Sequence, residues 1–271
     1  MNDAAVYWAL SAVMFLEYAV WGAWAPVLAA RLLGPLKMTG KQTGWIYATL
    51  PIACIFAPLL AGMAADKYVN AEYILLACHA IGAVLLLVAF TRETFGALFG
   101  VMLAYSICFA ATMPLVNRVV FEHAKNAGTV FIWAPIAWAL VGYTLSGWRM
   151  LRGEGKGGDC FVYAAILSVL MAVSCCFLPA TEPKAKAAGA AVAAKTDAPD
   201  AAKSDAAKKP ADEADPLGKA FAMLKNTNFL IFVLASMAVA GMMQFYFLGS
   251  AQFMIDNGIS GKAVPASMAI A

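Results

Sequence analysis

The residue of this sequence that is best suited to chemistry is Glu17, a carboxylate inside the stretch FLEYAVWGAW. It lies near the middle of an apolar run from about residue 6 to residue 30. An ionised carboxylate is costly at the centre of a bilayer, so it must face a cavity, pair with a partner or hold a proton. Trp21 and Trp24 share its face on a helix. The pattern predicts a proton-coupling group beside two rings that contact a planar or sugar-like solute. The alternative is a neutral Glu17 that only hydrogen-bonds a neighbouring helix.

Weaker candidates for the same solute site lie in later apolar segments. Tyr47 lies in the second segment, and Thr112 and Asn117 lie near the end of the fourth. Within a membrane, such hydroxyl and amide groups often do no more than satisfy helix packing. His79, in the third segment, is predicted to be a packed, hydrogen-bonded histidine rather than a proton relay.

Enzymatic and metal chemistry is not indicated by the sequence. The six cysteines form no C-x-x-C pair and show no metal-ligand spacing, and neither H-E-x-x-H nor G-x-S-x-G occurs. We therefore expect no catalytic residue, no metal site and no cofactor. An intramembrane enzyme would need such a constellation, so this class is disfavoured.

The composition indicates that these residues belong to a membrane protein. Hydrophobic residues make up 63% of the chain and charged residues 13%, and the mean hydropathy is +0.75. An ordinary soluble domain is roughly half apolar and about a quarter charged. The formal net charge of +3 is too small to indicate a nucleic acid partner. The lipid bilayer is the expected surrounding.

Seven apolar segments are long enough to be spanning helices, which need about 20 mostly apolar residues. They are residues 6–30, 43–65, 73–90, 95–117, 129–148, 161–178 and 228–255. The sequence therefore predicts an all-α integral membrane protein. Its last residues, GKAVPASMAIA, are expected to begin an eighth helix, so that a second set of helices is expected to be truncated.

Three regions are predicted along the chain. Residues 1–179 form a six-helix transmembrane bundle, and residues 227–271 form the first helix of a second bundle and the start of the next helix. Between them, residues 180–226 are rich in alanine, lysine and aspartate, have no aromatic residue before Phe221, and are predicted to be a disordered cytoplasmic linker. The lysines and arginines of the short loops alone favour the opposite orientation, but adding those of the linker and its flank favours a cytoplasmic N-terminus.

Six helices, a long polar loop and the start of a second set resemble the layout of the major facilitator superfamily. The stretch GMAADKY after the second segment resembles part of a loop signature of that superfamily, with Gly62, Asp66 and Lys67 at the matching positions. This resemblance implies a close helix approach at the glycine and a charge cluster that acts as a cytoplasmic latch. The alternative is a plain helix end with a snorkelling lysine.

A narrower resemblance is to the bacterial nucleoside permeases, the nucleoside:proton symporters. It is carried by FLEYAVWGAW, by TGWIYATLPIACIFAPLLAGMAADKYVNAEYILLACH and by FAATMPLVN. The resemblance implies a multi-pass protein of the bacterial inner membrane in which a nucleoside-like solute and a proton enter a central site together. It places Gln244 at a position that hydrogen-bonds the nucleoside. Phe247 and Phe131 stand where the family has an asparagine and an arginine, and Pro135 where it has a threonine.

The function expected from these residues is proton-coupled uptake of nucleosides or a similar small neutral solute by alternating access. Two alternatives stay open at this point. One is a major facilitator-type transporter of another small solute, such as a nucleobase or a sugar-like molecule. The other is a non-transporting receptor or a transporter remnant.

Overall fold

The computed structural model describes residues 2–153, 155–183 and 222–270, and within them all regular structure is helical. The ten helices are α1 (Asp3–Trp24), α2 (Leu28–Leu33), α3 (Gly40–Lys67), α4 (Ala71–Phe90), α5 (Phe95–His123), α6 (Ala127–Phe131), α7 (Trp133–Arg152), α8 (Asp159–Cys175), α9 (Thr227–Asp256) and α10 (Val264–Ile270).

Local sequence explains where the first helices begin and end. The Asn2 side chain accepts a hydrogen bond from the Ala5 amide and so caps α1. Thr39 and Gln42 form a reciprocal capping box at the start of α3. Helix α1 ends at Trp24 because Pro26, two residues later, has no backbone N–H with which to continue the hydrogen bonds of the helix.

The chain is a multi-pass membrane protein. Among the described residues, six helical stretches are long and apolar enough to cross a membrane; they are Asp3–Leu33, Gly40–Lys67, Ala71–Phe90, Phe95–His123, Ala127–Arg152 and Thr227–Asp256. Helix α8 is apolar but has only 17 residues, so the predicted span 161–178 is three residues shorter at its end than expected. A length of 17 residues lies at the lower limit for crossing a bilayer.

The chain divides into two compact units. One is formed by Met1–Ala188 with Phe247–Ala271, and the other by Gly189–Tyr246. In the first unit, α1 packs against α7 and α8, α4 against α5 and α8, and α3 against α5. The helical stretch that contains α1 is the most buried of the described spans. Of the second unit, the described residues are 222–246, which include the first part of α9. The chemistry of Glu17 therefore belongs to the central helix of the first unit.

Helices α7 and α8 are joined by a buried ion pair at the end where α7 stops. The Arg149 guanidinium donates two hydrogen bonds to the Asp159 carboxylate, at 2.6 and 2.9 Å, and a third to the Gly261 carbonyl at 3.0 Å. Arg149 lies in the last turn of α7 and Asp159 in the first turn of α8. Each charge therefore also compensates the partial charge of its own helix end.

The predicted linker, 180–226, lies largely outside the described residues. Its first residues are fixed to the bundle, because Thr181 is fully buried beside the start of α4. The Thr181 amide donates to the Glu72 carboxylate at 3.1 Å, and the Thr181 hydroxyl lies 2.9 Å from Nε2 of His123. Thr181, which lies within the predicted linker, therefore packs against the bundle.

Candidate functional site

Glu17 lies in a buried polar cluster at the centre of the first unit. Its side chain is 3% exposed, and its Oε2 atom lies 2.8 Å from Nε2 of His79 on α4. Its Oε1 atom lies 2.7 Å from the hydroxyl of Thr112 on α5. The carboxylate therefore links three helices, and both of its oxygens have partners.

His79 is held from its other side by α8. Its Nδ1 atom lies 3.1 Å from Oγ of Ser168, and the same hydroxyl donates to the His79 backbone carbonyl at 2.9 Å. The prediction of a packed, hydrogen-bonded histidine agrees with this geometry. Its pairing with Glu17, 62 residues away in the chain, was not predicted.

A small cavity of about 30 Å³ opens beside the Glu17 carboxylate. This volume is enough for a water molecule. The cavity is bounded by α1 and α5, and its lining residues are Glu17, Tyr18, Trp21, Phe109, Met113, Val116 and Asn117. Of the residues predicted from sequence, it brings together the carboxylate, one tryptophan and the Asn117 amide. Thr112 reaches this site through its hydrogen bond to Glu17.

Aromatic rings continue from the cavity wall toward α7 and α9. The Trp21 ring lies 6.3 Å from Phe109 and makes an edge-on contact with Trp138 at 5.3 Å. Trp138 in turn lies 5.8 Å from the buried ring of Phe247. Phe247 is thus connected to the cavity through Trp138, although it does not line the cavity itself.

Trp24 and Tyr47 do not line this cavity, and their role in solute binding stays a prediction. The Trp24 ring is buried and its indole N–H donates to the Tyr105 hydroxyl at 3.2 Å. The Tyr47 hydroxyl donates to the Ala25 carbonyl at 2.6 Å and accepts from the Ala29 amide at 3.0 Å. Tyr47 therefore ties together the chain between α1 and α2, where the helix is interrupted and backbone groups need partners.

Phe131 and Gln244 are two further residues that were predicted to bind the solute. Phe131, at the end of α6, packs against Phe121 with ring centroids 5.3 Å apart, and it does not line the cavity. Gln244 lies on the part of α9 that belongs to the second unit. Its role at a solute site remains a prediction.

The predicted latch residues lie at the C-terminal end of α3. Asp66 forms an ion pair with Arg118 of α5 at 3.0 Å, and Arg118 also lies 3.7 Å from Glu122. Lys67 is the last residue of the helix. The expected close approach at Gly62 is not present, because no described atom lies within 4 Å of the position that a Cβ would take there.

Sequence reasoning missed His79, Ser168 and Arg118 as members of these clusters. A signal for the first existed: Glu17 and His79 both lie well inside apolar helices, where an ionisable group needs a partner. Ser168 carried no comparable signal, since serine is common in apolar helices. Arg118 was treated as a loop residue, whereas α5 continues to His123 and includes it.

The chain is similar in sequence to several known proteins. A sequence profile of the family described as "Nucleoside H+ symporter" matches residues 5–271. The nucleoside permease NupG of Escherichia coli (strain K12) is 32% identical over 167 residues, which are 60% of this chain and 40% of that permease. The xanthosine permease of the same organism is 28% identical over 241 residues, or 87% of this chain and 52% of that permease. The chain thus spans about half, or less, of the length of these curated relatives.

Likeness in structure extends over the whole chain. A crystal structure of the nucleoside transporter NupG matches with a TM-score of 0.74 at 26% sequence identity, covering 100% of this chain and 64% of that chain. A crystal structure of its D323A mutant matches with a TM-score of 0.76 at 24% identity, covering 98% of this chain and 64% of the other. The predicted all-α, major facilitator-type fold is confirmed.

Proposed function

Because the chain belongs to the nucleoside H⁺ symporter family, we propose that it takes part in proton-coupled uptake of a nucleoside or a similar neutral, ring-containing solute. The solute and the proton cross the bacterial inner membrane together by alternating access, with the site exposed first to one side and then to the other. The family that matches residues 5–271 is described as one of symporters and not of enzymes. The lipid bilayer surrounds the apolar helices, and nucleic acid is not a partner.

The observation that carries this proposal is the Glu17 carboxylate at the wall of the central cavity. An ionisable group inside a membrane bundle ordinarily marks an ion, proton or substrate pathway. Trp21 and Phe109 add flat apolar surfaces beside it, and the Asn117 amide adds a donor and an acceptor. These are the groups that a planar base and a hydroxylated sugar ring require.

Gln244 and Phe247, both on α9, are further residues that we propose to bind the solute. An amide at Gln244 both donates and accepts, which suits a base edge or a ribose hydroxyl. Phe247, Phe131 and Pro135 stand where the family pattern has polar side chains, so fewer hydrogen bonds are available. A site with fewer hydrogen bonds discriminates less strongly among solutes. We therefore expect looser and less selective binding than in the family pattern.

The latch residues are proposed to face the cytoplasm. Asp66 and Arg118 form an ion pair at the end of α3 and α5 that also carries the anchored residues 181–182. The linker that follows is proposed to be cytoplasmic, with a cytoplasmic N-terminus. A cysteine introduced at Lys195 in a Cys-free background should react with a membrane-impermeant thiol reagent only after the cytoplasmic face is opened. Reaction from the periplasmic face would contradict this orientation.

Binding of uridine to the complete purified protein tests the proposed solute class. We expect uridine to raise the temperature of thermal unfolding, and Gln244→Ala to weaken its binding by about tenfold or more, because a buried polar contact of the solute loses its partner. Gln252→Ala, the same change on the same helix, is the matched control and should leave the affinity unchanged.

Competing solutes separate the alternatives. Uracil and a neutral hexose should displace uridine poorly, and a sugar phosphate should not displace it. If a sugar phosphate binds and its binding survives Gln244→Ala, both the site and the nucleoside assignment are wrong. The family match favours a nucleoside over the other solutes and over a non-transporting receptor.

A further inference from the structure

Building on the proton-coupled transport proposed above, we propose that Glu17 and His79 hold the carried proton together. The proton lies between Oε2 of Glu17 and Nε2 of His79, so the coupling group is the pair and not the carboxylate alone. Three hydrogen bonds around the pair lead to this assignment.

Ser168 determines which nitrogen of His79 carries a hydrogen of its own. The Ser168 hydroxyl has one hydrogen, and it donates this hydrogen to the His79 backbone carbonyl at 2.9 Å. Toward Nδ1, at 3.1 Å, its oxygen can then only accept. Nδ1 therefore carries a hydrogen, and in a neutral imidazole Nε2 is left with a lone pair.

That lone pair points at Glu17. Nε2 and Oε2 are 2.8 Å apart, which is hydrogen-bonding distance, and both atoms are buried. Two lone pairs would repel each other at this distance, so a proton must lie between them. Either the carboxyl group donates to a neutral imidazole, or an imidazolium donates to a carboxylate. When this proton leaves, the contact that joins α1 to α4 loses its attraction.

Thr112 accommodates the change in charge at the other carboxylate oxygen. Its hydroxyl lies 2.7 Å from Oε1 of Glu17 and also 2.7 Å from the Phe109 carbonyl. Because the carried proton lies on the Oε2 side, Oε1 accepts in both states, and the Thr112 hydrogen can stay directed at it whether the carboxyl group is charged or neutral. No hydroxyl hydrogen is left without an acceptor in either state.

The route of the proton follows from the cavity. Glu17 lines the cavity and His79 does not, so a proton that enters from this cavity meets the carboxylate before the imidazole. Imidazole is the side chain suited to exchange a proton near neutral pH, and its presence behind the carboxylate makes the site able to load and unload. Without His79 behind it, the Glu17 carboxylate would have no imidazole nitrogen with which to share the proton.

Other titratable groups around the pair do not replace it. They come from α1, α4, α5 and α8 and are Tyr18, Cys78, Tyr105, Cys108 and Cys175. Among the described residues, none of these groups makes a hydrogen bond to the side chain of Glu17 or His79, whose partners are each other, Thr112 and Ser168. From α7, the neighbour of Trp21 is the Trp138 indole, which does not titrate. Among the described residues, His79 is the ion-pair partner of Glu17.

Uridine uptake into proteoliposomes of the complete protein, with and without an inward proton gradient, tests the pair. The gradient should raise parent uptake roughly tenfold. Glu17→Gln and His79→Gln should each remove this stimulation, and the double variant should behave like either single variant. Uridine exchange without a gradient should persist in His79→Gln, whose side chain does not line the cavity. The matched control is His123→Gln, which changes the other histidine and should keep the full stimulation.

If His79→Gln keeps the parental stimulation by the gradient, the proposed proton-carrying pair is wrong. It is also wrong if the fold-losses of stimulation in the two single variants multiply in the double variant, because the two residues would then act independently. A parent that neither binds nor exchanges uridine would instead contradict the proposed function itself. The two failures are therefore distinguishable.

A measurement on the parent protein covers the case in which the variants do not fold. With ¹⁵N-labelled histidine, the His79 signals should show Nδ1 carrying a hydrogen throughout a pH titration, while Nε2 alone changes. A neutral imidazole with its hydrogen on Nε2 and a bare Nδ1 would overturn the assignment, because His79 would then only donate to a fixed carboxylate.

Discussion

Two buried acid–base pairs hold α1, α4, α7 and α8 together, and they differ in what their basic partner can do. Asp159 at the end of the bundle is paired with Arg149, and Glu17 at its centre is paired with His79. Arginine does not lose its proton in proteins, whereas histidine does so near neutral pH. The first pair is therefore a permanent connection, and the second is suited to change its charge.

Geometry strengthens the same contrast. Arg149 holds both oxygens of Asp159 at once, at 2.6 and 2.9 Å, and adds a bond to a backbone carbonyl. Glu17 divides its two oxygens between His79 and Thr112, so each partner has one contact. Planar two-bond pairing is the stronger and more rigid form.

The largest effect is expected when the permanent pair is broken. Arg149→Met removes the guanidinium and leaves Asp159 with a buried, uncompensated charge. Breaking a buried pair in this way costs about 3 to 5 kcal/mol. We expect Arg149→Met to lower the thermal unfolding temperature of the purified protein in detergent far more than any change in the central pair.

The control for this variant is Arg149→Lys, which keeps the charge but loses the two-bond geometry. It should recover part of the lost stability. If Arg149→Met unfolds at the parental temperature, the pair at the bundle end does not hold α7 to α8.

A smaller loss is expected when the central carboxylate is replaced by an apolar side chain. Glu17→Leu fills the space but leaves Nε2 of His79 and the Thr112 hydroxyl without their partner. A buried polar group without a partner costs roughly 1 to 3 kcal/mol. Glu17→Gln keeps a hydrogen-bonding group in place and should lose less. Equal unfolding temperatures for the two variants would show that the polar contacts of Glu17 do not stabilise the fold.

Ser168→Ala should affect proton handling more than stability. Hydrogen bonds between helices inside membranes contribute about 0.6 kcal/mol on average, so the unfolding temperature should change little. Without the serine, however, the hydrogen of His79 is no longer confined to Nδ1. We expect the pH profile of uridine uptake to shift while uptake at the optimum persists. An unchanged profile would leave Ser168 a packing residue only.

The sequence predicted the helices well because their signal is local. Each of the seven apolar segments is helical in the structure, since about 20 apolar residues in a row leave few other folds in a membrane. The break of α1 after Trp24 was missed, although Pro26 marked it. The end of α8 at Cys175 was misplaced because the apolar pattern continues past the helix.

The candidate site could be predicted only in part. The face of a helix on which a residue lies does not tell at which level along the helix axis it lies, or which residue of the neighbouring helix it meets there. Trp21 and Trp24 both share a face with Glu17, yet Trp24 lies about 10 Å farther along the helix axis than Glu17. At that level α5 presents Tyr105, seven residues before Thr112, so Trp24 meets a packing partner and not the cavity. The Glu17–His79 pair depends on which face α4 turns toward α1, and no local pattern specifies that.

The smallest effect is expected for a third acid–base pair, which lies in water. Lys156 donates to Glu93 at 2.6 Å between two loops, and both side chains are more than half exposed. The hydrogen bond and charge of Lys156 lower the pKa of Glu93. A lowered pKa in the folded state stabilises the fold above the ordinary glutamate value of about 4.3, and this contribution is lost as the pH falls through the lowered pKa. Exposed pairs of this kind contribute little and are screened by salt.

We therefore expect Lys156→Gln to leave the unfolding temperature at neutral pH within the error of the measurement, and any difference from the parent to vanish in acid or at high salt. A loss that approached that of Arg149→Met, and that persisted in acid, would show that burial is not what separates the permanent pair from a surface pair.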